Sequence, residues 1–388
     1  MIHILSVSHI VLILLKSNYN LNKKIIMNIL YDHQVFSWQR IGGISRYFVE
    51  LINNLPSGFI STTGVLFTDN IYMWNNIDLR KNIIGHFPLP EKMKGRQRMQ
   101  MWVNKMNTLR LLNKSNIDVF HPTYYSSYFL NKNKKPYVIT VYDMIHEKMP
   151  ELVPQDNTIE LKKISILNAS KIIAISEQTK LDLIELYGIN EENIKVIYLG
   201  HSIDCENEEK VLGIPANYIL FVGARAGYKN FERFLRAFAI LSSQNPDLYL
   251  VCTGTNFTID EYALIHSLYL DNKVIRLFVS DTQLTYLYRH AKCFVFPSIY
   301  EGFGIPILES LASGCPICLS NTSCFPEIAQ DAGTYFDPYD IDSIVSATLM
   351  LLENEKYKNE QITKGFRVIG QYSWKRMAEE TAFVYKSI

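Results

Sequence analysis

One pattern constrains this chain more than any other. Short β-rich runs alternate with helical periods, and the whole series occurs twice. The first-half strand candidates are NILYD (28–32), FISTTGVLF (59–67), IDVFH (117–121), YVITVYD (137–143), KIIAIS (171–176) and IKVIYLG (194–200). The second half offers YILFVGA (218–224), LYLVCTG (248–254), VIRLFVS (274–280), CFVFPS (293–298), PICLSN (316–321) and GTYFD (333–337). Strands separated by helices of about ten or more residues form parallel sheets with crossover connections. The expected class is therefore α/β, with two doubly wound, Rossmann-like domains. The length of 388 residues agrees, because a single core seldom grows that large.

The polar, aperiodic stretch HSIDCENEEKVLGIPAN (201–217) reads as the linker between an N-terminal domain (27–200) and a C-terminal domain (218–372). The last segment, 373–388, is helical by pattern and is expected to pack back across the hinge. Ligands of open α/β sheets bind beyond the carboxyl ends of the strands, so two such domains facing each other create an interdomain cleft. Residues 1–26 precede a second methionine, Met27, which opens the first strand. Their apolar run is too short to span a bilayer, and they lack the charged start and cleavage site of a signal peptide. They are expected to lie outside the fold, with a weak membrane-associating segment as the alternative.

A formal net charge of +1 excludes a general nucleic-acid binder. The six cysteines are scattered through apolar runs, as reduced buried thiols are in a reducing compartment. Cys315 and Cys318 form a CxxC, but no second pair and no HxxxH supply further metal ligands. Asp340-Ile-Asp342 matches the D-x-D of metal-dependent transferases. It also precedes an apolar helical run, where Asp340 serves as an N-cap and Asp342 as a first-turn acid, and this is the preferred reading.

Two motifs carry chemistry. In VGARAGYKNF (222–231) a strand ends at Gly223, and a loop bearing Arg225 and Lys229 leads into a helix. Two cations beside a helix N-terminus make a place for a diphosphate, against the plainer reading of solvated surface charges. In YEGFGIPILE (300–309) the glycines at 302 and 304 let backbone approach a ligand, and Pro306 suits the first turn of a helix. Glu301 then lies in the loop and Glu309 on the helix. The alternative is a solvated glutamate and a helix-start charge.

The run FPSIYEGFGIPILESLASGCPICLSNTSCFPEIAQDAGTYFDP resembles the donor-binding signature of the retaining glycosyltransferases of family 4, including their E-x(7)-E at Glu301 and Glu309. VGARAGYKN is similar to that family's Arg/Lys diphosphate loop. YDHQVFSWQRIGGISRYFVEL resembles the N-terminal glycine loop of its mannosyltransferase-like members, and HPTYYSS and VYDMIHE resemble further N-domain blocks. The resemblance spans residues 27–388 and implies the two-domain GT-B fold. It implies that Glu309 binds the nucleotide ribose and that Glu301 stands beside the donor sugar. Arg225 and Lys229 would neutralise the departing diphosphate, and backbone near Gly223, Phe303, Gly304 and Ile305 would touch sugar or phosphate. His121 would lie near donor sugar and acceptor, with a hydrogen-bonded strand-end histidine as the alternative. Gly42 and Gly43 would approach phosphate or acceptor, or form a tight turn only. Asp143 ends a strand at the same cleft. Many relatives carry His-Asp there, whereas this chain has Tyr142-Asp143.

The implied activity is transfer of a sugar from GDP-mannose or a UDP-sugar to a glycan or lipid-linked acceptor in cell-surface polysaccharide assembly. No metal or other cofactor is expected. Two other classes are the alternatives. A nicotinamide-dependent oxidoreductase needs a GxGxxG that neither half contains. A non-catalytic binding module is disfavoured because Glu301, Glu309, Arg225 and Lys229 are all present. In KMKGRQRMQMWVNKM (92–106), Met99, Trp102, Val103 and Met106 fall at helical spacing. They are expected to pack on the N-domain core. Docking on an anionic membrane at the cytoplasmic face is the sharper reading.

Overall fold

The structure is a computed structural model that describes residues 26–153, 156–225 and 227–388, so the expectation for the N-terminal extension falls, apart from Ile26, outside the described residues. Twelve strands are found among the described residues, all in parallel pairs. The first domain holds β1 (Met27–Tyr31), β2 (Phe59–Thr63), β3 (Val119–His121), β4 (Val138–Val141), β5 (Lys171–Ala174) and β6 (Ile194–Val196). Their order is β2-β1-β3 and β4-β5-β6, and the two halves join through a single parallel bridge between Phe120 and Tyr137. The second domain holds β7 (Tyr218–Phe221), β8 (Tyr249–Thr253), β9 (Val274–Leu277), β10 (Cys293–Phe296), β11 (Ile317–Ser320) and β12 (Gly333–Phe336). Its order is β12-β11-β10-β7-β8-β9. Counted from β7, this is the third-second-first-fourth-fifth-sixth arrangement of dinucleotide-binding sheets, with its switch point between β7 and β10.

The central strands form because each is a short run buried on both faces, whereas the edge strands β2, β6 and β9 are only partly covered. Every residue of β3, β4, β7, β10 and β11 is buried. Helices lie between strands and are capped by the residues the sequence supplies. Asp340 accepts a bond from the Asp342 N–H at 2.9 Å and starts the Ile341–Glu353 helix, so the D-x-D is a cap. The CxxC cysteines are free and buried, and burial raises both thiols to about 12.

The final helix, Trp374–Lys386, leaves the second domain and packs against the Gly43–Asn54 helix of the first. Gly200 makes this crossing fit. A Cβ there would stand 2.3 Å from the Trp374 nitrogen. Tyr385 is fully buried, and its hydroxyl contacts His121 Nδ1 at 2.6 Å and the Tyr31 hydroxyl at 3.1 Å. A second contact joins the domains at the cleft. A Cβ on Gly302 would fall 1.6 Å from the Tyr142 carbonyl oxygen, so the absence of a side chain lets the two backbones touch.

The Arg96–Leu112 helix overturns the expected packing. Met99, Trp102 and Met106 are exposed, at 49%, 63% and 47%, whereas Gln100, Asn104, Asn107 and Thr108 are buried. The polar face turns inward because an adjacent loop needs it. Asn104 Oδ1 accepts from the Leu66 and Phe67 N–H groups at 2.9 and 3.1 Å, and its Nδ2 donates to Phe67 O and Ser37 Oγ at 2.8 and 2.9 Å. Asn107 donates to Gly64 O at 3.2 Å. These side chains satisfy loop backbone that would otherwise be buried unpaired.

Candidate active site

Both motifs arrive at the switch point. β7 ends at Phe221 and runs into the Gly223–Lys229 loop, while β10 ends at Phe296 and runs into Tyr300–Glu309. The Lys229 ammonium donates to Glu301 Oε1 at 2.5 Å. Burial works against the Lys229 charge, but the Glu301 carboxylate, with Tyr228 and Asp143 beside it, outweighs burial and raises the ammonium above its ordinary range. The loop carrying Glu301 is pinned from the next strand. Ser323 Oγ donates to Glu301 O at 2.6 Å and accepts from Glu301 N at 3.2 Å, and Cys324 Sγ lies 3.3 Å from both Glu301 O and Phe303 O. Ser323 holds a left-handed φ of 55°, a conformation that a serine adopts only when its surroundings impose it. The sequence reading missed these two supports. Their signal is the run SNTSCFPE directly after β11.

Gly304 has φ 88° and starts the Ile305–Ala312 helix, with Pro306 in the first turn. The N–H groups of Phe303, Gly304 and Ile305 make no hydrogen bond among the described residues. They are donors left open at a helix start, where an anion binds. The Phe303 side chain itself is buried against Tyr198 and Tyr372. One turn along, Glu309 is 7% exposed and accepts from the Tyr288 hydroxyl at 3.2 Å. Burial raises its pKa, while Arg46 and the Tyr288 O–H pull it back.

Arg46 comes from the other domain. Its guanidinium lies 3.8 Å from Glu309 Oε1, pairs with Asp281, and donates to the Tyr72 hydroxyl at 3.0 Å. Nothing in the local sequence around Arg46 shows that its partners lie on the opposite wall. Gly42 and Gly43 open the helix that carries it, and Gly43 faces the Ile305 side chain, 3.6 Å from where its Cβ would be. Two helix starts thus meet across the cleft. Asp143 stands beside Gly302, accepts from Ile145 N at 3.0 Å and is 31% exposed.

Two further expected residues have partners of their own. Arg225 is anchored on the loop after β8. Its Nε donates to Glu261 at 2.9 Å, its Nη2 to Thr255 O and Asn256 O at 2.7 and 2.9 Å, and its guanidinium lies over the Phe257 ring at 4.7 Å. A carboxylate and an aromatic face hold Arg225 against the loop after β8, and its Nη1 is left without a partner among the described residues. His121 is fully buried, with Nδ1 on Tyr385 and Nε2 on Thr140 Oγ1 at 2.9 Å. Burial lowers its pKa to about 3. Both ring nitrogens are occupied inside the core, as a hydrogen-bonded strand-end histidine would have them.

The arrangement can hold a diphosphate at Lys229 and the open N–H groups, with a carboxylate at each end of the ligand. No helix among the described residues is long and apolar enough to cross a membrane.

Both halves of the chain are similar to known proteins. Residues 41–205 match Glycosyltransferase Family 4, and residues 204–368 match Glycosyl transferases group 1. The chain is 28% identical over 285 residues to O-antigen chain mannosyltransferase B of Escherichia coli, covering 69% of this chain and 74% of that protein. It is 29% identical over 245 residues to O-antigen chain mannosyltransferase RfbU of Salmonella typhimurium, covering 62% and 67%. Among solved structures, a sucrose-phosphate synthase from Thermosynechococcus elongatus superimposes with a TM-score of 0.74 at 17% identity, covering 93% of this chain and 98% of the other. HepE from Anabaena, solved with UDP and glucose, gives 0.72 at 18% identity, covering 93% and 100%. With both halves matched and the paired sheets meeting at one cleft, the chain belongs to the family 4, group 1 glycosyltransferases of GT-B fold.

Proposed function

We propose that this glycosyltransferase moves a mannosyl unit from GDP-mannose, with retention, to a hydroxyl of a glycan or lipid-linked acceptor during surface polysaccharide assembly. The observation that carries this reading is the Lys229–Glu301 pair at the open start of the Ile305–Ala312 helix, with Glu309 one turn along it. The names of the E. coli and Salmonella relatives support mannose as the sugar. A UDP-sugar is the second reading, supported by the UDP bound in the Anabaena structure.

The chemistry follows from charge. Leaving of the diphosphate builds positive charge on the sugar ring and negative charge on the phosphate. Lys229 and the N–H groups of residues 303–305 would stabilise the phosphate, and Glu301 the ring. Glu309 would hold the ribose. The leaving phosphate would take the acceptor's proton in a front-face attack. No residue here is asked to hold a metal.

We further place the enzyme at the cytoplasmic face of an anionic membrane. The outward Met99, Trp102 and Met106, flanked by exposed Lys92, Lys94 and Arg98, form the amphipathic face such a surface attracts. Thermal-shift titration with UDP, GDP, ADP and their sugars tests the donor, because a ligand of the native state raises the unfolding midpoint. GDP-mannose should give the largest shift, and the product's anomeric coupling by NMR should match the donor's. A shift from none of them would refute the reading.

A further inference from the structure

The loop that carries Glu301 is anchored on both sides of the cleft. Within the second domain, Ile299 N donates to Tyr228 O at 2.8 Å, and Ser323 brackets the Glu301 backbone. Tyr300, between these two anchors, turns the other way. Its ring is 5% exposed, and its hydroxyl donates to Asp182 Oδ2 in the first domain, 118 positions away. Asp182 lies on the Glu177–Tyr187 helix and is 1% exposed. Gln178 Nε2 donates to its Oδ1 at 3.0 Å, and the Lys148 ammonium stands 3.1 Å from the same oxygen. A buried carboxylate is tolerated only when it is paired and hydrogen-bonded. Lys148 and Gln178 serve one oxygen, and the other is left to Tyr300. Burial and the Asp182 charge raise the Tyr300 phenol above its ordinary range, so it keeps its proton and remains a donor.

The same helix receives two more contacts from the second domain. Glu327 accepts from the Glu177 and Gln178 N–H groups at 2.7 and 3.2 Å, satisfying open donors of the first turn. Thr179 Oγ1 lies 3.5 Å from Gly302 O. The first domain thus grips the residues on either side of Glu301. Because Tyr300 and Glu301 share a peptide unit, fixing the Tyr300 side chain restricts the backbone from which the Glu301 carboxylate projects toward Lys229.

We propose that Asp182 is a positioning residue for sugar transfer: through the Tyr300 hydroxyl it sets where the Glu301 carboxylate stands, so that this carboxylate is in place only while the two domains are in contact. The proposal rests on the glycosyl-transfer reading above. The test follows release of GDP from GDP-mannose and of UDP from UDP-glucose by the full chain, with water as the acceptor. Calorimetric titration with GDP and UDP counts the competent sites, so that kcat is expressed per folded enzyme. Tyr300→Phe keeps the ring and leaves Asp182 its lysine and glutamine, so it should fold, as its unfolding midpoint will show. Tyr300→Phe and Asp182→Ala should each lower kcat about 10- to 100-fold, the size expected for a misplacement of about 1 Å. Nucleotide affinity should stay within about twofold, because the loss is confined to the transition state. Asp182→Asn keeps an acceptor oxygen and should recover part of the activity. In a Glu301→Gln background Tyr300→Phe should cost nothing further, since residues that act through one another are not additive. Unchanged kcat per competent site, or losses that add in the Glu301→Gln background, would overturn the proposal and leave the contact as a weld between domains. A wild type that cleaves neither donor would sink the transfer reading itself, and the positioning role with it.

Discussion

His121 and Tyr385 meet at 2.6 Å inside the first domain although 264 positions separate them. The contact ties the last helix of the chain to the end of β3, and Tyr31 closes the network from β1. The C-terminal segment is thereby part of the N-terminal core.

Removing that hydroxyl should destabilise the whole protein. Tyr385→Phe strips a partner from both His121 and Tyr31, for about 1–3 kcal/mol. Tyr385→Ala adds a cavity and should cost about 3–5 kcal/mol. Urea unfolding measures both.

Acid should weaken the fold through buried imidazoles. His121 and His33 are held neutral by burial, with pKa values lowered to about 3 and about 4. In the unfolded chain both take a proton near pH 6.5, so stability is complete above that pH and is lost as pH falls from about 6.5 toward about 4 for His33 and about 3 for His121. At pH 5 the loss is about 2 kcal/mol for each histidine. Unfolding midpoints at pH 7 and pH 5 will show the drop, and His121→Gln should reduce its size.

Glu301→Gln and Lys229→Ala should each lower kcat by about 10²–10³, the usual size when one charge-stabilising group is lost. Steady-state kinetics with saturating donor is the check. A Glu301→Gln enzyme with full activity would end the role assigned to it.

Arg46→Ala leaves Glu309 buried without its cation, so the carboxyl pKa, already raised, should rise further. Nucleotide affinity should then fall off at a higher pH than in the wild type. Calorimetric titration between pH 5 and pH 8 reads the shift, and Arg46→Lys should restore part of it.

The two faces of the Arg96–Leu112 helix should answer differently. Trp102→Glu should leave stability within about 0.5 kcal/mol and abolish sedimentation with anionic vesicles. Asn104→Leu orphans loop backbone at residues 66 and 67 and should cost about 2 kcal/mol or more.

Much of this was legible in the chain. Alternation of strand and helix dictated two parallel sheets, because a buried parallel strand must be a short apolar run and its crossover must be a helix. Glu301, Gly302, Gly304, Pro306 and Glu309 sit in one decapeptide, so their arrangement follows from local backbone rules. What the sequence by itself could not determine is which way a side chain turns once distant segments supply its partners. Arg225 was drawn to Glu261, His121 closed on Tyr385, and Asn104 turned inward to serve a loop that its own helix does not contain. Arg46 found Glu309 across the cleft. These outcomes belong to the tertiary structure, because a buried charge or polar group takes whichever partner the fold brings within about 3 Å.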